Sequence, residues 1–318
     1  MERNSKIYIA GHRGLVGSAL RRKLERQGFT NLLLRSHAEL DLTDAAATSR
    51  FFLEERPEYV FLAAARVGGI LANSHYPVDF IRDNLRIQTN AIEAGYRSGI
   101  KRLLFLGSSC IYPKLCPQPI KEEYLLTGPL ELTNRAYAVA KISGIEMCWA
   151  YNRQFGAKYL AVMPTNLYGP GDNYDPLSSH VLPALIRKVA EAKRTGAQRI
   201  EVWGSGTPRR ELLYSDDMAD ACVFLMSLPD ESFESLLSER EPPLINVGTN
   251  EDLTIREIAQ LVCQVLDYEC ELTFDSSKPD GTPRKLMDSS KINRLGWRPQ
   301  VGLAEGIRLA YEQRPLRA

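Results

Sequence analysis

Tyr137 and Lys141 stand four positions apart, a spacing that in a helix puts both on one face, one turn apart. A neighbouring ammonium stabilises a phenolate, so a phenol so placed can exchange a proton near neutral pH. Ser108 follows the apolar run 103–106 and Gly107, and its hydroxyl can hydrogen-bond the same substrate oxygen. Together the three suit delivery of a proton to a carbonyl oxygen while a hydride reaches its carbon. A bare Tyr-x-x-x-Lys is also what a solvated helix face offers, so this chemistry requires a dinucleotide site earlier in the same domain.

Such a site is written into Gly11, His12, Arg13, Gly14, Leu15, Val16 and Gly17, between the β-rich run 6–10 and an amphipathic segment reaching about Gln27. Glycines at this spacing allow a tight turn, close approach of backbone to a pyrophosphate, and close helix–strand packing. Free N–H groups at the helix start bind phosphate. The second strand, residues 32–34, ends at Arg35 rather than at the acidic residue that usually holds a ribose 2′-hydroxyl. Arg35 and Arg13 suit a 2′-phosphate and favour NADP(H) over NAD(H). Glu39 and Asp41 lie close enough to leave the alternative open, and Asp41-Leu42 can reach the adenine.

The elements that must position these groups follow in order. A helix is predicted over about 43–55, a strand over 59–65 with a small-residue end, a loop over 67–77, and a long helix over about 78–98. A fourth strand runs over 102–106, the Tyr137/Lys141 helix over about 134–155, and a fifth strand over 159–163. Alternating strands and helices at this spacing predict an α/β, doubly wound parallel sheet of the Rossmann kind. Pro164, Thr165, Asn166 and Leu167 open a breaker-rich loop running to Pro170, expected to close on the nicotinamide at a strand's carboxyl end. Beyond Gly171 the pattern loosens. Residues 171–318 read as a smaller, partly interleaved domain, with helices over 178–194 and 218–228, short strands at 200–203 and 245–248, and returns to the first sheet near 211–228 and 244–249. Residues 276–285 read as a turn-rich basic loop, and 228–243 as polar and irregular.

Composition narrows the field. The 318 residues carry a formal charge of +1, with 44% apolar and 25% charged residues, which points away from nucleic acid and anionic membrane as partners. No apolar run approaches spanning length, and the first residues lack a secretory pattern. Six cysteines and four histidines show no metal-ligand spacing, so no metal is expected, and reduced thiols suit a cytoplasmic protein.

With residues 11–17, 107–115, 137–141, 163–170, 203–210 and 278–285 in view, the chain resembles the extended short-chain dehydrogenase/reductases, and among them the GDP-L-fucose synthase family. The resemblance spans nearly the whole chain. It implies an NADPH-dependent enzyme acting on GDP-4-keto-6-deoxy-D-mannose, epimerising C3 and C5 and reducing C4. On that implication Cys110 is the base and His180 the acid of the epimerisations. Tyr137 protonates the C4 oxygen, Lys141 tunes it and holds the nicotinamide ribose, and Ser108 orients the carbonyl. Cofactor contacts are implied for the glycine stretch and for Arg35, Asp41, Leu106, Gly107, Ser108, Ser109, Lys141, Pro164, Thr165, Asn166, Leu167 and His180. GDP-sugar contacts are implied for Lys188, Trp203, Arg210 and Asp280. A homodimer through the helices at 78–98 and 134–155, packed as a four-helix bundle, is implied as well. Three other functions fit the fold less well: a 4,6-dehydratase, which needs an Asp-Glu pair where this chain has Ser109-Cys110; a 4-epimerase, which needs no Cys/His pair; and a non-catalytic NADP-binding regulator, which has no use for an intact Tyr/Lys pair with Ser108.

Overall fold

A computed structural model describes every residue except Leu177, Pro279 and 315–318. The parts of the 171–318 region and of the 278–285 motif at those positions lie outside the described residues. In chain order the first half comprises β1 (Ile7–Ala10), α1 (Leu15–Arg26), β2 (Leu32–Leu33), α2 (Ala45–Glu55), β3 (Tyr59–Leu62), α3 (Ile70–His75), α4 (Pro77–Ser98), β4 (Arg102–Leu106), α5 (Arg135–Phe155) and β5 (Tyr159–Pro164). The second half comprises β6 (Asn166–Tyr168), α6 (Val181–Thr195), β7 (Arg199–Trp203), β8 (Arg209–Tyr214), α7 (Ser215–Ser227), α8 (Asp230–Glu234), β9 (Leu244–Val247), β10 (Asp252–Thr254), α9 (Ile255–Val265), β11 (Glu271–Asp275), β12 (Arg284–Lys285), α10 (Ser290–Arg294) and α11 (Leu303–Glu312).

Six strands form one parallel sheet in the order β2-β1-β3-β4-β5-β9. Apolar residues cover both faces, because each strand is overlaid by helices on either side. One layer packs α1 and α7 through Leu20, Leu24, Met218 and Cys222 against Ile9, Leu104 and Val162. The other packs α2, α4 and α5 through Phe52, Ile92 and Ile145 against Tyr8, Leu103 and Phe105. A third core, around Leu185, Val189, Ile258 and Ile307, belongs to the second half, between α6, α9, α11 and the strands β7 and β8.

The strand order reverses between β1 and β3, and at such a switch point two carboxyl ends part to leave a crevice. Gly11 sits there with φ +82, and a side chain on it would meet the backbone of Ala64 at 2.9 Å. Gly17, in the first turn of α1, has no room at all: an added Cβ would lie 2.0 Å from the Gly11 carbonyl oxygen.

Four stretches expected to be loop or irregular carry structure. Residues 166–168 form β6, which pairs in parallel with β8; Pro164 and Gly169 signal breaks, while the partner strand lies far along the chain. Residues 70–75 form a short helix inside the expected 67–77 loop. Residues 284–285 of the basic turn pair with β8 in register Lys285 to Arg210. Residues 230–234, within the stretch read as irregular, are helical, and Phe233 is buried beneath Arg102.

Candidate active site

The carboxyl ends of β1, β3, β4 and β5 open onto a cleft of about 1010 Å³. Its far wall is supplied by α6, β7, β8 and β12, so residues from both halves of the chain line one space. Size and mixed lining suit a cofactor and a substrate side by side.

Ser108 stands at its centre. β4 delivers it in extended conformation, and a short turn over Ser109–Ile111 begins on it, the Cys110 N–H donating to its hydroxyl at 3.4 Å. The same hydroxyl shares the cleft with the Tyr137 phenol and the Cys110 thiol and favours the ionised form of each. α5 presents Tyr137 edge-on to Phe80 of α4, ring centroids 6.2 Å apart. One turn later Lys141 is almost wholly buried. Its ammonium donates to the Leu106 carbonyl at 2.7 Å and lies 5.8 Å from the Tyr137 ring centroid. α5 holds its place through Gln88 of α4, which donates to the Ala140 carbonyl at 2.6 Å.

The electrostatics correct two expectations. Lys141 was expected to lower the Tyr137 pKa, yet burial pushes that phenol far up, the neighbouring Cys110 adds to the push, and only the Ser108 hydrogen bond opposes it. Burial meanwhile brings Lys141 down to about 8. Tyr137 is therefore held as a phenol, the form a proton donor needs. Cys110 departs similarly from the expected near-neutral thiol: burial raises it, against the pull of Lys285, Ser108 and Lys141. His180, immediately before α6, lines the cleft and is exposed within it. Shielding from bulk water and the Lys285 ammonium hold its imidazole below the usual range.

The glycine cradle of the first wall fits a dinucleotide. Gly11, Gly14, Leu15, Val16 and Gly17 line the cleft, with the side-chain space at Gly11 and Gly17 closed by backbone. Arg35, Asp41, Leu106, Gly107, Ser108, Ser109, Pro164, Thr165, Asn166 and Leu167 line the same space. Lys141 lies just beneath it. His12 is buried behind the loop, its imidazole held low mainly by that burial, and Arg13 projects to solvent; neither lines the cleft. Arg35 is less free than its position in sequence suggests: its guanidinium pairs with Glu55 at 2.6 Å and lies over the Phe51 ring. Asp41 accepts from the Thr43 N–H and hydroxyl, both at 2.8 Å.

On the second wall Trp203 is 45% exposed. The ammoniums of Lys188 and Lys278 lie 5.4 and 5.6 Å from its ring centroid. Lys188 also donates to the Glu201 carbonyl at 2.8 Å. Arg210 is aimed by three carbonyls, those of Arg209, Thr282 and Asp280. Asp280 accepts from the Ser205 N–H and hydroxyl, both at 2.8 Å, and so joins the 203–210 and 278–285 segments. A flat ring ringed by cations is a surface for a nucleoside diphosphate.

Sequence reading missed Lys285, which lines the cleft beside Cys110 and bears on both Cys110 and His180. Asn134, just before α5, also lines it, with a buried side-chain oxygen that has no partner. Neither carries a spacing signal: Asn134 precedes α5, and Lys285 lies in the two-residue strand β12, too short to show a periodicity. Among the described residues no group of three or more His, Cys, Asp or Glu side chains could hold a metal ion, and no helix is long and apolar enough to cross a membrane.

Comparison with known proteins agrees with this geometry. The NAD dependent epimerase/dehydratase family matches residues 7–248. GDP-L-fucose synthase 1 of Arabidopsis thaliana is 56% identical over 311 residues, covering 98% of this chain and 93% of its own. GDP-L-fucose synthase of Escherichia coli K12 is 52% identical over 309 residues, covering 96% and 95%. A solved GDP-mannoheptose C4 reductase from Campylobacter jejuni with NADP bound superposes with a TM-score of 0.89 at 41% identity, covering 98% and 99%. Similar to these proteins along nearly its whole length, the chain belongs to the NAD dependent epimerase/dehydratase family and, within it, to the GDP-L-fucose synthases.

Proposed function

We propose that the protein converts GDP-4-keto-6-deoxy-D-mannose into GDP-L-fucose, epimerising C3 and C5 and reducing C4 with NADPH. The observation that carries this reading is the convergence of Tyr137, Ser108 and Cys110 on one cleft that His180 also lines. The C4 ketone acidifies the hydrogens at C3 and C5, so modest bases suffice. Cys110 takes a proton from carbon, Ser108 and Tyr137 hydrogen-bond the enolate oxygen that forms, and His180 returns a proton from the opposite face. NADPH in the glycine cradle supplies the hydride for C4. Tyr137 then gives its proton to the C4 oxygen, with Lys141 beneath it. Arg210, Lys188 and Lys278 hold the diphosphate and Trp203 lies against the nucleoside, Asp280 bracing them. The NADP-bound C4 reductase and Arg35 beside the cleft support NADPH as the donor.

In this reading residues 1–170, with the returns at 211–228 and 244–249, bind the cofactor, and 171–318 bind the GDP-sugar. The enzyme is a homodimer through α4 and α5, where Tyr96 and Phe155 stack on the surface with ring centroids 4.5 Å apart. Six cysteines, all free, support a cytoplasmic setting.

Reduction of C4 without epimerisation is a second reading, favoured by the 41% identity to a C4 reductase. Incubation with GDP-4-keto-6-deoxy-D-mannose in deuterated water separates the two. Deuterium at C3 and C5 with one NADPH consumed per GDP-L-fucose supports both activities; oxidation of NADPH without deuterium leaves reduction alone. Tyr137→Phe is expected to slow reduction by about 10²- to 10⁴-fold while exchange at C3 and C5 continues.

A further inference from the structure

We infer that Lys285 is the positioning residue that makes Cys110 a base: the two residues line one small cavity behind the cleft, and the ammonium there stabilises the thiolate. This rests on the epimerase reading above and extends it to a residue that reading does not use.

The other cations of the site are committed elsewhere. Lys141 donates to the Leu106 carbonyl, Lys188 to that of Glu201, and Arg210 to three carbonyls. Among the described residues the Lys285 ammonium has no comparable acceptor. Burial pushes the Lys285 ammonium down, and Arg210 adds to that, while the Cys110 thiol, the Glu131 carboxylate and the Cys116 thiol favour its charge. Glu131 is already paired with Lys114 at 2.7 Å. Lys285 and Cys110 line both the main cleft and a cavity of about 10 Å³ behind it, room for about one water molecule.

The backbone on either side of Lys285 is fastened. Arg284 is paired with Asp252. The Leu286 N–H donates to Gln118 at 2.9 Å and its carbonyl accepts from the Ile120 N–H at 2.7 Å. The Met287 N–H donates to Glu211 at 2.8 Å. The backbone from which the Lys285 side chain departs is therefore fixed relative to the cavity.

The chemistry needs such a charge. A buried thiol holds its proton, and only the thiolate can take one from carbon. The groups around Cys110 are Ser108, Tyr137, Lys141 and Lys285; both ammoniums favour its thiolate, and of the two only Lys285 lines the small cavity with it, Lys141 being bonded to the Leu106 carbonyl. Cys110 releases its proton to water, the thiolate accepts a proton from C3 or C5, and the electron pair of the broken C–H bond moves into the enolate.

The test is the pH dependence of Cys110 alkylation by iodoacetamide, read site by site by peptide mass spectrometry on the full chain without substrate. Lys285→Met should displace the Cys110 curve to higher pH and slow alkylation near pH 8 on the order of tenfold, while Lys285→Arg restores it. Deuterium wash-in at C3 and C5 should fall in parallel, and NADPH binding should be unchanged in all three proteins. Lys285→Gln replaces the methionine variant if that one does not fold. An unshifted alkylation curve in the variant overturns the inference. So does a loss of exchange with an unshifted curve, which would make Lys285 a substrate contact. A shifted curve in the variant, with no exchange by the wild-type enzyme, keeps the lysine–thiol coupling and removes the epimerase reading instead.

Discussion

Cys110 is pushed up and His180 held down, so at rest the pair is a thiol and a neutral imidazole. The working form, thiolate with imidazolium, is then a minor species. Between the two pKa values its fraction is constant, since the gain in one member cancels the loss in the other. Below the His180 value it declines because thiolate disappears; above the Cys110 value it declines because imidazolium does. Deuterium exchange at C3 and C5 is expected to be flat through neutral pH, with an acid limb below the usual histidine range and an alkaline limb above the usual cysteine range. A sharp maximum near pH 7, measured by wash-in rate against pH, would contradict this. At this scale Tyr137, Lys141 and Ser108 were legible because spacing and strand ends are local properties. The upward shift of Tyr137 was not, because it comes from burial by Phe80 and its neighbours, which only the fold assembles.

Among the elements, the turn from β1 into α1 is the least forgiving. The atoms that would meet a Cβ at Gly17 are the Gly11 carbonyl at 2.0 and 2.6 Å, backbone that has no rotamer to move. Gly17→Ala must therefore shift the start of α1 away from the loop and spoil its phosphate-binding N–H groups. A loss of NADPH affinity of at least about tenfold is expected, equivalent to about 1.4 kcal/mol, measured by titration of nicotinamide fluorescence. Strands β1, β3, β4 and β5 were readable as apolar runs, since a strand buried on both faces shows no alternation. β6 and β12 were not: each is two or three residues long and exists because β8 offers it an edge. The α3 turn was hidden by the flanking Gly68, Gly69 and Pro77, which read as loop.

For the molecule as a whole, α4 and α5 pack together and leave Tyr96 and Phe155 outward, 39% and 46% exposed. An aromatic pair this open, on two long neighbouring helices, fits a second copy of the chain. Light scattering is expected to give a dimer for the wild type and a monomer for the double variant Tyr96→Glu, Phe155→Glu, with NADPH binding retained. A monomeric wild type would remove the interface.

The segment carrying Lys285 is stitched on one side to β8 and on the other to the stretch around Ile120, including a bridge between Ile120 and Met287. It runs from one wall of the cleft to the other like a hasp across a box. The two walls therefore do not swing apart about a hinge there. With the walls tied there, a bulky ligand is expected to enter the cleft along another edge, such as the one where Gly69, before α3, lies against the Ser178–Ser179 backbone.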